Sequence, residues 1–152
     1  MPIGLVVFSW NKRIGAEVSI RYPEDFQVSN ETLMRIFSTH AFEESGGFLS
    51  IMIGALNIAS YYSGPEIGTY ISLFLSLEDD PDSYEDAILD ATSIILSHRN
   101  LEQLRPIIPI IYAQMVIYPN FTDEQKIAAV LSDRAKRIIL DNLEKDGSST
   151  KG

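Results

Sequence analysis

Two histidines, a scatter of serines and a dense run of carboxylates are the side chains here whose types could do chemistry. His40 and His98 lie far apart, and no His-Glu-x-x-His pattern brings either to a metal. His40 with Glu43 and Glu44 could ligate an ion, but a histidine late in a helix more simply faces that helix's C-terminal dipole. The acidic run from Glu78 to Asp86 suggests a calcium loop. With Asp80 at its first place, however, the sixth place needs glycine and holds Glu85, and Pro81 marks a helix start. Ser97-His98 has no G-x-S-x-G elbow to present a nucleophile. The carboxylate pairs fall on solvated helix ends, not in apolar surroundings that would raise a pKa. Neither glycine-rich phosphate pattern occurs. The residues therefore predict no catalytic, cofactor or metal site, and no enzyme activity.

What remains are candidates for binding a partner. Lys12 and Arg13 occupy a predicted hairpin tip, where simple solvation is the plainer role. Tyr61 and Tyr62 end a predicted strand beside Gly64-Pro65-Glu66, where aromatics either pack beneath a helix or rim an interface. Arg134 projects among Ile127, Val130 and Ile138 of a predicted last helix, where its stem can snorkel toward Asp141.

The elements that must hold these residues are organised around 46–77. Three runs rich in β-branched and aromatic residues are separated there by Gly54-Ala55 and by the turn 63–68, which predicts three consecutive antiparallel strands. Before them, 3–10 is a continuous apolar run that reads as a buried strand. A turn closed by Gly15 leads into an alternating strand, with Ala16, Val18, Ile20 and Tyr22 on one side and Glu17, Ser19 and Arg21 on the other. Ser29 caps a first helix whose inward face is Leu33, Ile36, Phe37 and Ala41, with Val28 able to staple onto Leu33. Asp80-Pro81 opens a second helix with acids in its first turn. Tyr84, Ile88, Ala91, Ile95 and His98 share one face, and Leu89 and Leu96 form a second covered stripe. The stretch 100–120 could be a short helix or extended packing. Thr122 and Gln125 form a capping box for a last helix to about residue 145, and 148–152 is a disordered tail. Neither face of the 46–77 strands is frankly polar, so helices are expected on both. The expected class is α+β: a five-stranded antiparallel sheet in the order β-β-α-β-β-β-α-α, in a single domain over 1–147.

Charge narrows the partners. The net charge is −9, and residues 46–100 supply −7 of it, with one basic and eight acidic side chains. An acidic body disfavours nucleic acid and unaided binding to anionic membrane, and favours a basic protein surface. The absence of cysteine excludes disulfides and thiolate chemistry. No signal peptide, lipidation motif or membrane-spanning run is found, which points to a soluble protein without direct membrane insertion.

With that element order, the chain resembles a longin domain of the profilin-like group, which includes adaptor sigma chains and subunits of TRAPP-type tethers. The match is sharpest over Leu56-Asn57-Ile58-Ala59-Ser60-Tyr61-Tyr62-Ser63-Gly64, Gly68-Thr69-Tyr70-Ile71-Ser72-Leu73-Phe74-Leu75-Ser76-Leu77 and Tyr84-Glu85-Asp86-Ala87-Ile88. The resemblance implies a cytoplasmic, non-enzymatic platform for a small Ras-like GTPase or for another longin-like subunit, in membrane traffic or cytoskeletal control. Such platforms often act as dimers and lie at membranes only through partners. Arg13 would be a candidate arginine finger. Two other roles stay open: a coat or adaptor small subunit recognising sorting peptides, and a small-ligand sensor with a cavity around Phe48, Met52 and Tyr62.

Overall fold

A computed structural model describes residues 1–42, 46–98 and 100–120. The chain divides into two compact units, Met1–Pro119 and Asn120–Gly152, and all strands and α-helices described lie in the first. The expected last helix, the tail 148–152 and Arg134 lie outside the described residues.

The described elements are β1 (Pro2–Asn11), β2 (Gly15–Tyr22), α1 (Asn30–Phe42), β3 (Gly47–Ile53), β4 (Leu56–Tyr62), β5 (Thr69–Leu75), α2 (Glu85–Ser97), α3 (Leu101–Leu104) and α4 (Ile108–Ile117). The strands form one antiparallel sheet in the spatial order β2-β1-β5-β4-β3. β1 and β5, the apolar runs in the sequence, are interior strands with cross-strand partners on both sides, and β2 and β3 are edges. Gly54 sits at φ +57° in the two-residue turn that closes β3 onto β4, a conformation that favours glycine.

The two alternations of the sheet bury different sets. Val6, Phe8, Ile51, Ile58, Tyr70 and Phe74 cluster with Leu33 and Ile36 of α1, and Leu49, Ile53, Phe37 and Val28 pack against them. On the opposite alternation Leu5, Val7, Ala59, Ile71, Leu73 and Leu75 are equally buried. α2 contacts β4 and β5, and α4 contacts β2 and α2.

β2 departs from its predicted alternation. Val7 pairs with Ile20 and Phe8 with Val18, so Ser19 has no opposite number and forms a β-bulge. Its hydroxyl donates to the Val7 carbonyl oxygen at 3.1 Å. The surplus residue turns the strand over. Ala16 and Val18 pack on the α1 cluster, while Ile20 and Tyr22 stand opposite Val7 and Leu5.

The helices differ from expectation in detail. Ser29 does cap α1, its Oγ accepting from the Thr32 amide at 3.1 Å. The inward face is Leu33, Ile36, half-buried Phe37 and His40, and Ala41 is exposed. The second helix opens with a 3₁₀ turn, Pro81–Tyr84, capped by the Asp80 carboxylate accepting from the Asp82 amide at 3.1 Å, and α2 follows it. Tyr84, Ala87, Ile88, Ala91, Thr92 and Ile95 are buried, His98 lies just past the helix end, and Leu89 is exposed, so α2 has one covered stripe and not two. The ambiguous stretch 100–120 is helical: α3 is capped by Asn100 and α4 buries Ile108, Ile111 and Met115. Pro109 falls in the first turn of α4, where a missing N–H costs nothing. No described helix is long and apolar enough to cross a membrane.

Candidate interaction surface

The register gathers three chain segments at one end of the sheet. Asn11 pairs with Gly15, Ser9 with Thr69, Tyr62 with Tyr70, and Gly47 with Tyr62. The β1–β2 tip, the β4–β5 turn and the entry to β3 therefore emerge side by side. The end of α1 belongs there too, because the His40 ring lies 5.9 Å from that of Tyr62.

Each segment is fixed by its own hydrogen bonds. At the tip the Asn11 carboxamide accepts from the Arg13 amide at 2.8 Å and donates to Glu17 at 3.0 Å. This is an Asx turn, in which a short polar side chain stands in for backbone. In the β4–β5 turn the Ser63 amide donates to the Thr69 carbonyl oxygen at 2.9 Å, and the Thr69 amide donates to the Ser63 hydroxyl at 2.8 Å. Gly46 lies so close that a Cβ there would meet the Tyr62 carbonyl oxygen at 2.9 Å, which excludes a larger residue without backbone movement.

These loops present apolar side chains among charges. Ile14 is 70% exposed, Ile67 59% and Phe42 89%, beside Lys12, Arg13 and Glu66, all exposed. Isolated exposed apolar residues are ordinary, but Ile14 and Ile67 on two turns at one sheet end, with charged neighbours, have the composition of an interface. Four of the predicted binding residues come to this end: Lys12, Arg13, Tyr62 and Glu66. Tyr62 is half-buried and stacks on Tyr70 at 4.4 Å between ring centroids, so it packs as well as borders the surface. Tyr61 is half-buried on the opposite alternation, paired with Ile71 and Phe48. Sequence patterning does not single out Ile14, Ile67 and Phe42. An isoleucine inside each polar turn, with no place in the strand periodicity, is the signal that was available.

Beneath the surface is an aromatic layer enclosing a polar chain. Trp10 stacks on Phe37 at 4.3 Å and Phe8 on Tyr70 at 4.9 Å, and Phe37 meets Tyr70 edge-on at 6.1 Å. His40 Nε2 lies 2.9 Å from Ser60 Oγ, which lies 2.8 Å from Ser72 Oγ. A histidine-serine relay invites a catalytic reading, but both serines are 0% exposed and no substrate can reach them. Burial lowers the His40 pKa to about 4, so the ring is neutral near pH 7. It is then not a cation at the helix C-terminus, contrary to the dipole role expected of it. Burial, with Tyr62 beside it, pushes Tyr70 up to about 12. The relay pins α1 to β4 and β5, satisfying polar groups that would otherwise be buried unpaired.

The remaining sequence candidates resolve into local structure. Ser76 donates to Asp79 at 3.1 Å, Ser50 to Asp82 at 2.8 Å and Ser83 to the Asp80 carbonyl oxygen at 2.7 Å, so the acidic run serves as capping for its own turn. Among the described residues no group of three or more His, Asp or Glu side chains gathers to hold a metal; Glu43 and Glu44 lie outside them. Phe48 and Met52 stand on the opposite alternation from Tyr62 and cannot line one cavity with it.

No protein-family model matches the sequence, and no curated protein or solved structure does either.

Proposed function

We propose that this chain is a non-enzymatic interaction module of longin-like (profilin-like) type. Its partner is a small Ras-like GTPase or a second longin-like subunit, and its setting is membrane traffic or cytoskeletal control in the cytoplasm. The observation that carries the reading is the placement of exposed Ile14 and Ile67, with Lys12, Arg13 and Glu66, on hydrogen-bonded turns at one end of the sheet. Pre-ordered apolar side chains with a charged rim bind a protein surface at little entropic cost. The fold reading has its own support. The elements run β-β-α-β-β-β-α from β1 to α2, the order on which the resemblance rests, α1 lies on one alternation of the sheet, and α2 and α4 meet strands buried on the other. Helices on both faces are part of the proposal.

The test is a pulldown of purified small GTPases, loaded with GDP or with a non-hydrolysable GTP analogue, by the wild-type chain and by an Arg13→Glu/Ile14→Asp variant. Retention of a GTPase by the wild type, weakened at least about tenfold in the variant, is expected, since loss of one buried apolar anchor and one charge pair exceeds about 1.4 kcal/mol. If no GTPase is retained in either nucleotide state and the chain sediments as a monomer without a longin-like partner, the reading fails.

A further inference from the structure

We infer that the cleft between β2 and α4 is a binding site for a small organic oxyanion, a carboxylate or phosphate group carried on an apolar body. The cleft holds about 410 Å³, a volume suited to a small molecule. It lies away from the sheet end described above and is independent of the partner proposed there.

The bulge at Ser19 helps to shape it. By adding one residue to an edge strand it re-aims the side chains of the strand's second half, and Ser19, Ile20, Arg21 and Tyr22 all line the cleft. The opposite wall comes from Arg105 and the first two residues of α4, Ile108 and Pro109. A helix of 10 residues adds a fractional positive charge at that end to the two guanidinium groups. Half-buried Tyr22 and exposed Pro109 supply apolar surface for the body of a ligand.

Arg21 gives the reason to expect an anion. Its Nε is buried and has no hydrogen-bond partner among the described residues. Arg21 is in none of the ion pairs of the described residues, so its half-buried guanidinium brings to the cleft a positive charge that an oxyanion matches in planar, forked geometry. Arg105 is held only by an exposed contact with Glu102 at 3.7 Å, a weak tether from which it can turn inward. Glu24 also lines the cleft, yet it appears in none of the ion pairs of the described residues. Its charge disfavours a second anionic group, which argues for a ligand with one acidic end.

The experiment uses the full chain and follows backbone amide shifts by NMR during titration with benzoate, phenyl phosphate, inorganic phosphate and benzyl alcohol. Saturable shifts on β2 and the start of α4 with at least one aromatic anion are expected, with at least tenfold weaker binding of inorganic phosphate and none of benzyl alcohol. Arg21→Gln is expected to weaken the aromatic anion at least tenfold. Arg105→Gln changes a side chain that is 71% exposed, so it should fold even if the Arg21 variant does not, and a loss of at least threefold is expected. The inference is overturned by saturable shifts confined to other elements, by none at all, or by undiminished binding in folded variants.

Discussion

His40 gives the chain an acid-sensitive joint. Its pKa is lowered from 6.5 to about 4 by burial. Above pH 6.5 the ring is neutral in both folded and unfolded chains and contributes no pH dependence. As the pH falls from 6.5 toward 4 the unfolded chain takes up a proton that the folded one refuses, so stability drops across that window. The loss is on the order of 1–3 kcal/mol, set against a typical total of about 5–15 kcal/mol. Urea midpoints between pH 7 and pH 4 should therefore fall more steeply in the wild type than in His40→Gln, which keeps a polar group beside Ser60 but cannot titrate. Equal slopes would show that the ring reaches water when protonated. Sequence spacing could not single out His40, because Ile36 to His40 and Phe37 to Ala41 are equally good helical steps. What decides between them is Ser60, 20 positions away, offering the ring a partner at 2.9 Å.

At the scale of elements, the strands were legible where one rule governs the whole element. Leu49, Ile51 and Ile53 alternate as expected, and so do Tyr70 to Leu75, because β3–β4 and β4–β5 each keep one register and the shift between β5 and β1 puts its surplus residue, Ile3, on β1. β2 was misread because a bulge leaves the written alternation of Ala16, Val18, Ile20 and Tyr22 intact while reversing its meaning midway. The stretch around α4 was ambiguous because Pro106 and Pro109 look like breakers, and only placement in the first turn makes the second harmless. The candidate surface was half legible: its charges marked turns, but nothing local tells that three turns share an end. Asp80-Pro81 opens the 3₁₀ turn that leads into α2, and Asp80 caps that turn, while α2 itself has no side-chain cap. Asp80→Ala should cost about 0.5–2 kcal/mol, as loss of an N-cap does elsewhere. Thermal unfolding checks this, and a change below about 0.3 kcal/mol would mean that Pro81 alone sets the helix start.

For the whole molecule the governing fact is the net charge of −9. The described ion pairs within helices, Arg35–Glu31 at 3.4 Å and Arg105–Glu102 at 3.7 Å, are exposed and contribute little, so beyond the Met1 ammonium on Asp79 salt has little described attraction to remove. It has much repulsion to screen, with a Debye length falling from about 30 Å at 0.01 M to about 10 Å at 0.1 M. Raising NaCl from 10 to 200 mM should therefore raise Tm, by about 2–4 °C if screening contributes about 1 kcal/mol. Calorimetry with a non-binding anion decides it, and a fall in Tm would show that attractive pairs outweigh the repulsion. The bulge carries a different kind of consequence. A strand has a parity, odd residues to one side and even to the other, and at Ser19 the parity of β2 changes sign. Side-chain substitutions alter what a strand buries but never which side it counts as even. This edge of the sheet is therefore written in chain length: were Ser19 drawn into regular pairing, Ile20 and Tyr22 would compete with Ala16 and Val18 for a single face, whereas its deletion would leave Val18 opposite Phe8 and Ile20 opposite Val7 with no bulge.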